Sequence, residues 1–195
     1  MQISGGRNQT VRALIFRTRG LYLFISILII LFLKHATSSM VTPSVYLLSL
    51  ALSVLVLIFR VWAAGFIGST ARAGETHADV LVTAGPYAYL RNPMYLTALL
   101  FGLLFGVMSG LWYSLLIWAA AYAFVYSQVI PYEEEFLRSK FGWEYEEYRR
   151  RVPRLIPNTK AYEKRSGIFS LREALLNEIA ALIVLPAFWF LYWLL

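Results

Sequence analysis

Apolar residues fall along this chain in five long runs, Leu21 to Leu33, Val45 to Ile67, Met94 to Val107, Leu111 to Ile130 and Leu175 to Leu195, each interrupted by few or no charges. A helix rises about 1.5 Å per residue, so about 20 residues cross a hydrocarbon core of roughly 30 Å. The second, fourth and fifth runs meet that length directly. The first reaches it if it extends to Thr37. The third does so if it runs from Pro93 to Ser109 and turns at Ser109 and Gly110 into a tight helical hairpin. Between the runs, two segments carry the polar chemistry, 68–92 and 131–173. The pattern predicts an all-α polytopic membrane bundle of about five transmembrane helices, one domain over 1–195, with an interfacial helical segment on one face.

Composition agrees: 59% of the 195 residues are hydrophobic and 15% charged, and the mean hydropathy of +0.59 is too apolar for an ordinary soluble domain. Sixteen of the eighteen lysines and arginines fall on one side of the five-helix arrangement. They include Arg7, Arg12, Arg17 and Arg19 before the first helix, Arg72 and Arg91 between the second and third, and ten more in 131–173. Lys34 falls on the other side, and Arg60 lies inside the second run. The positive-inside rule makes the basic side cytoplasmic. The net charge of +7 therefore reads as topology and attraction to anionic headgroups, not as nucleic-acid binding. A cleaved signal peptide is the competing reading of the N-terminus, but HATSSM after the apolar core lacks a clear Ala-x-Ala site. There is no cysteine, so no disulfide framework and no thiolate nucleophile. His35 and His77 stand in no metal-ligand spacing, and no metal site is read. Gly102, Gly106 and Gly110 have the small-xxx-small spacing of close helix packing.

Two clusters concentrate the chemistry. Gly85 to Tyr95, GPYAYLRNPMY, ends a polar stretch with a turn at Gly85 and Pro86 and opens an apolar helix, with Asn92 as N-cap and Pro93 at the first helical position. The helix start, with its free N–H groups and Arg91 beside it, suits a carboxylate or phosphate. The structural alternative makes Arg91 a topology signal and Tyr87, Tyr89 and Tyr95 an interfacial belt. The second cluster is Glu133 to Pro157, EEEFLRSKFGWEYEEYRRRVPRLIP. Pro131 reads as a helix break after which Glu133 to Glu135 open a new helix and are stabilised by its dipole. In a functional reading these carboxylates accept hydrogen bonds from ribose hydroxyls or an amino group and favour a cationic sulfonium. From Phe136 through Leu137, Phe141 and Tyr145 to Tyr148, the spacing approximates one face of a helix interrupted at Gly142, with Glu147 facing solvent. Arg149, Arg150, Arg151 and Arg154 form a basic run near Pro153 and Pro157. Arg60, a charge inside an apolar run, either snorkels to the interface or serves a site.

Gly85, Pro86, Tyr87, Arg91, Pro93 and Tyr95, joined by Glu133, Glu134, Leu137, Phe141, Gly142, Tyr145, Tyr148, Val152, Pro153, Arg154, Ile156 and Pro157, resemble the isoprenylcysteine carboxyl methyltransferase and phospholipid methyltransferase family of integral membrane enzymes. The resemblance covers roughly 55–157 and leaves the helix at 175–195 outside it. It implies S-adenosylmethionine as methyl donor, held by Tyr87, Arg91, Asn92 and Tyr95 at its amino-acid end and by Glu133 and Glu134 at its ribose or adenine end. Arg60, Tyr148 and Arg154 would face the acceptor, a membrane lipid or lipid-like molecule bearing a carboxylate or amine. Eukaryotic members carry His where this chain has Asn92, and Asn cannot titrate near neutrality, so a general-base role at that position is lost. An NADPH-dependent reductase related to membrane sterol reductases and a non-catalytic lipid-binding protein are the rival functions. The charge asymmetry carries a direct expectation: reporter fusions within 131–173 should report a cytoplasmic location, with the N-terminus on the same side and the C-terminus opposite.

Overall fold

The computed structural model describes residues 5–68 and 79–194; Arg72, His77 and the side chain of Arg7 lie outside the described residues. Six α-helices and one 3-10 turn account for the described chain: α1 (Gly5–Thr37), α2 (Pro43–Ile67), the turn Gly85–Ala88, α3 (Pro93–Met108), α4 (Trp112–Phe141), α5 (Trp143–Arg151) and α6 (Leu171–Leu194). Helices α1, α2, α4 and α6 have the length and hydropathy of membrane spans, and α3 is a shorter apolar helix. The multi-pass membrane architecture follows from these helices. Their outward faces remain apolar, as at Leu47, Leu55 and Ile58 on α2, because lipid rather than protein is their complement.

Both α1 and α4 run past the apolar segments that define them. At about 1.5 Å per residue the 33 residues of α1 and the 30 of α4 exceed a hydrocarbon core of roughly 30 Å. Arginine is a good helix former, so the basic residues before Leu21 prolong α1 instead of ending it. The break expected at Pro131 is absent: Pro131 lies inside α4, which continues to Phe141. One proline removes a single backbone bond. Val129 and Ile130 before it and Glu134 after it are all buried, and their packing keeps the helix continuous. Glu133 to Glu135 therefore sit in a helix interior, where the N-terminal dipole expected for them does not act.

The α3–α4 hairpin forms as the sequence suggested. α3 ends at Met108 with Ser109 as its C-cap, Gly110 takes a positive φ of 71°, and α4 returns antiparallel. Gly102 and Gly106 allow the two backbones to approach, for a Cβ at Gly102 would overlap the Trp118 indole and one at Gly106 would lie 2.8 Å from Leu115. Trp118 is 2% exposed, and its indole N–H donates to the Leu99 carbonyl at 3.1 Å. The hairpin brings the start of α3 and the end of α4 to one end of the bundle.

At that end, the segment before α3 is sewn to the segment after α5 by backbone hydrogen bonds: Arg91 N–H to the Pro153 carbonyl (2.8 Å), Asn92 N–H to that of Arg154 (3.1 Å), Asn158 N–H to that of Tyr89 (2.8 Å) and Tyr162 N–H to that of Ala88 (2.8 Å). Leu81, Ala88, Tyr145, Tyr148, Val152 and Tyr162 form a small separate core beneath this seam. Gly85 has φ 59°, and a Cβ there would overlap the Phe66 ring. If the hairpin depends on the close approach at Gly102, Gly102→Ala should destabilise the protein by about 1–3 kcal/mol through overpacking. Gly20→Ala, which meets nothing within 4 Å, should leave the protein equally or more stable. Thermal unfolding in detergent checks both.

Candidate functional site

A cavity of about 720 Å³ opens at the motif end of the bundle, within the range of small-molecule sites, roughly 300–1,000 Å³. Both sequence clusters line it: Tyr87, Arg91, Asn92, Pro93, Met94 and Tyr95 from the first, and Glu133, Glu134, Phe136, Leu137, Tyr145 and Tyr148 from the second. The remaining walls are Phe16 and Arg19 of α1, Arg60 and Phe66 near the end of α2, the strip 79–82, Ser166 to Ile168, and Asn177 and Glu178 of α6. Among the described residues the wall carries three arginines and four carboxylates, Asp79, Glu133, Glu134 and Glu178.

Successive residues on α4 point different ways, so Glu133, Glu134 and Glu135 have different fates. Glu135 is exposed. Glu133 accepts a hydrogen bond from the Tyr95 phenol at 2.6 Å. Glu134, 8% exposed, takes a two-pronged bond from Arg154, with Nε at 3.0 Å from Oε1 and Nη2 at 2.7 Å from Oε2. Arg91 Nη1 lies 3.0 Å from the same Oε1. Two guanidiniums thus meet one buried carboxylate, and removing one member of such a group costs on the order of 3–5 kcal/mol.

The tyrosines are not an interfacial belt. Tyr87 and Tyr95 are buried while Tyr89 is exposed. Tyr95 packs at a tilt against Tyr126 (ring centroids 4.6 Å apart), which contacts Tyr122 (4.4 Å), and the Tyr122 phenol donates to the Tyr95 carbonyl at 3.0 Å. Tyr148 donates to the Tyr87 carbonyl at 2.7 Å. Burial raises the Tyr87 and Tyr148 phenols above their ordinary range. Burial, and then the Glu134 carboxylate, push Tyr145 up to about 12. These three phenols are protonated donors at neutral pH and do not serve as bases.

Several expected roles change on inspection of the partners. Asn92 occupies the N-cap position without a side-chain cap, and its amide instead donates to the Arg154 carbonyl at 3.2 Å; the chain at Asn92 has φ −127° and ψ 61°. Arg154, expected to face the acceptor, is bound to Glu134 and is not among the residues lining the cavity. Glu147, expected to face solvent, is 9% exposed and bonded to Arg151 (3.1 Å) and Lys164 (2.6 Å). The Lys164 hydrogen bond lowers its carboxyl pKa. Arg60 does line the cavity, but its charge is countered by Glu178 on α6. Sequence reasoning passed over Glu178, although it is the sole charge in Leu175–Leu195, and an intramembrane carboxylate marks a candidate site by default. Arg19 was read only as a topology signal, whereas the extension of α1 carries it to the cavity wall.

Three buried polar atoms of cavity-lining residues have no hydrogen-bond partner among the described residues: Tyr87 Oη, Arg91 Nε and Asn177 Oδ1. Buried polar groups are ordinarily satisfied, so these three atoms are free to bond a ligand or water in the cavity.

A family model described as phospholipid methyltransferase matches residues 44–144, just over half of the chain. The chain belongs to the phospholipid methyltransferase family. Among curated relatives, the protein-S-isoprenylcysteine O-methyltransferase of Schizosaccharomyces pombe is 40% identical over 78 residues, covering 40% of this chain and 33% of the relative. The cobalt-zinc-cadmium resistance protein CzcN of Cupriavidus metallidurans is 36% identical over 107 residues, covering 55% of this chain and 46% of the relative. The matches thus span less than half the length of these two relatives. The phospholipid methyltransferase match ends at the start of α5, so the seam to 153–166 and the wall from α6 lie beyond it.

Tyr148→Phe separates scaffold from chemistry. It should cost about 1–3 kcal/mol by leaving the Tyr87 carbonyl unpaired. If the phenol serves only this bond, the loss should appear as a lower unfolding temperature, with the residual folded protein binding S-adenosylhomocysteine normally.

Proposed function

We propose that this protein is an S-adenosylmethionine-dependent membrane methyltransferase whose acceptor is a lipid or lipid-like molecule, with all of 1–195 acting as one methyltransferase unit. The observation that carries the proposal is that both motifs converge on one cavity whose wall holds buried polar atoms without a partner among the described residues. The residues fit the cofactor chemically. Arg91 supplies a cation and an unpartnered Nε for a carboxylate, Tyr87 an unpartnered phenol, and Glu133 a carboxylate for an amino group or ribose hydroxyls. Glu134 acts on this side of the cavity chiefly by holding Arg91. Four carboxylates against three arginines suit a ligand with a positive centre.

When bound, the cofactor supplies an activated methyl group on a sulfonium. The protein's own contribution is to bind, orient and exclude water. Asn92 cannot take up a proton near neutrality and the Tyr87, Tyr145 and Tyr148 phenols hold theirs, so the residues near the first motif offer no strong base. An acceptor that is already nucleophilic, a carboxylate or a free amine, suits such a site. Arg60 orients the acceptor's polar end, while its apolar part remains among the helices. The motif end faces the cytoplasm, in keeping with the distribution of lysine and arginine.

Isothermal titration with S-adenosylhomocysteine against NADPH tests the reading: binding of the first alone supports it, and binding of NADPH alone makes the protein a reductase. Glu133→Gln should weaken S-adenosylhomocysteine binding by roughly ten- to a hundredfold, the worth of one charge-assisted hydrogen bond. The exposed Glu144 provides the control, as Glu144→Gln should leave affinity unchanged. Unaltered affinity in Glu133→Gln would remove that carboxylate from the cofactor site.

A further inference from the structure

α6 lies outside the residues matched to the family, yet it contributes Asn177 and Glu178 to the cavity wall. Glu178 is seven residues into α6 and Arg60 seven residues before the end of α2, so both stand about 10 Å along their helices from the motif end. At that depth a lone carboxylate is costly. Glu178 Oε2 receives Arg60 Nε at 2.6 Å. Arg60 Nη1 donates to the Met94 carbonyl and to Thr97 Oγ1, each at 3.1 Å. The guanidinium is thus carried by α2 but held by α3 and α6.

The two partners are unequally enclosed. Both residues line the cavity, but the Glu178 side chain is 4% exposed and that of Arg60 23%, so the arginine is the more accessible partner. A guanidinium has five N–H donors in a fixed fork. With Nε and Nη1 engaged, Nη2 is the nitrogen that makes no hydrogen bond to another described residue. Asn177 ties α6 to the end of α2 through the Ala64 (3.3 Å) and Gly68 (2.7 Å) carbonyls, which keeps Glu178 in register with Arg60.

We propose that Glu178 is a specificity-determining residue of the acceptor site. It fixes Arg60 so that Nη2 receives an anionic group, a carboxylate or phosphate, on an amphiphilic acceptor, and it tempers the attraction by countering the arginine's charge. This rests on the methyltransferase reading for the word acceptor, but the anion preference itself does not require methyl transfer. Removing the countercharge without changing shape leaves Arg60 in search of an anion, so selectivity for charged amphiphiles should rise. Removing Arg60 should abolish it, and Glu178 should then have nothing to act through.

The test uses the full chain in detergent, with and without saturating S-adenosylhomocysteine. N-acetyl-S-farnesylcysteine is compared with its uncharged methyl ester, and farnesyl phosphate with farnesol, by competition binding. The wild type should prefer the anionic member of at least one pair by about tenfold or more, the worth of a charge-assisted hydrogen bond. The pair that discriminates tells carboxylate from phosphate. Glu178→Gln should raise the preference several-fold, Arg60→Met should reduce it to near unity, and Arg60→Met/Glu178→Gln should match Arg60→Met alone. No preference in the wild type overturns the proposal, as does a Glu178→Gln effect that persists without Arg60. A preference unmoved in Glu178→Gln also overturns it. If that variant does not fold, Glu178→Asp, which keeps the charge but withdraws it from Nε, is read the same way: an unmoved preference overturns the proposal. Failure of S-adenosylhomocysteine to bind the wild type would count against the methyltransferase reading and leave these amphiphile comparisons decisive for Glu178.

Discussion

A carboxylate held inside an apolar bundle must be partnered, and Glu134 is where that constraint organises the molecule. Its partners, Arg91 and Arg154, come from the segment before α3 and the segment after α5. Bringing them together requires the α3–α4 hairpin to close, α4 to continue through Pro131 and the strip 88–92 to lie along 153–162. Each condition is met by ordinary devices: glycines at the hairpin contact, a packed helix on either side of the proline, and backbone hydrogen bonds along the strip. Water cannot satisfy backbone groups in the hydrocarbon region, so helices must carry the chain there, and the irregular segments collect at the end where the polar cluster sits.

The same cluster shapes the cavity chemically. Arg91 and Arg154 are bound to Glu134, Tyr95 to Glu133, and Arg60 to Glu178. The site is therefore not a basic pocket of the kind the arginine content suggests, but a nearly balanced wall with a few donors and acceptors left over. Such a wall has little need to reorganise when a ligand of mixed charge enters. The atoms left over among the described residues are Tyr87 Oη, Arg91 Nε and Asn177 Oδ1. Phenols kept protonated by burial add donors without adding bases.

α6 shows how a helix outside the shared motif acquires a place in the site. Phe169 fills the space beside Gly65, where an added Cβ would have no room. Ser170 N–H bonds to the Gly65 carbonyl at 3.0 Å, and Asn177 anchors to the end of α2 about two turns later. These contacts fix the helix's rotation, and that rotation puts Glu178 rather than its apolar neighbours against Arg60.

Much of this protein was legible in its amino-acid sequence. Continuous apolar runs of about 20 residues dictate helices, because lipid leaves backbone groups no partner outside the chain and a barrel strand is only half that length, and Ser109–Gly110 marks the hairpin because its glycine tolerates the left-handed turn. The spacing of GPY, RNPMY and EEE separated the residues that line the cavity from the bulk of the apolar chain. What a charged side chain does was not legible, since pairing is a matter of distance in space. Nothing local distinguishes Arg154, bound to Glu134, from its neighbours in the basic run, or Glu147, enclosed by Lys164 and Arg151, from the exposed Glu144. Pro131 was misread because helix propensity is local, whereas the packing that carries α4 through it comes from other helices. Only the tertiary structure decided that Glu178, in the last helix, belongs to the same site as a motif that begins at Gly85, because burial leaves its carboxylate one cation within reach.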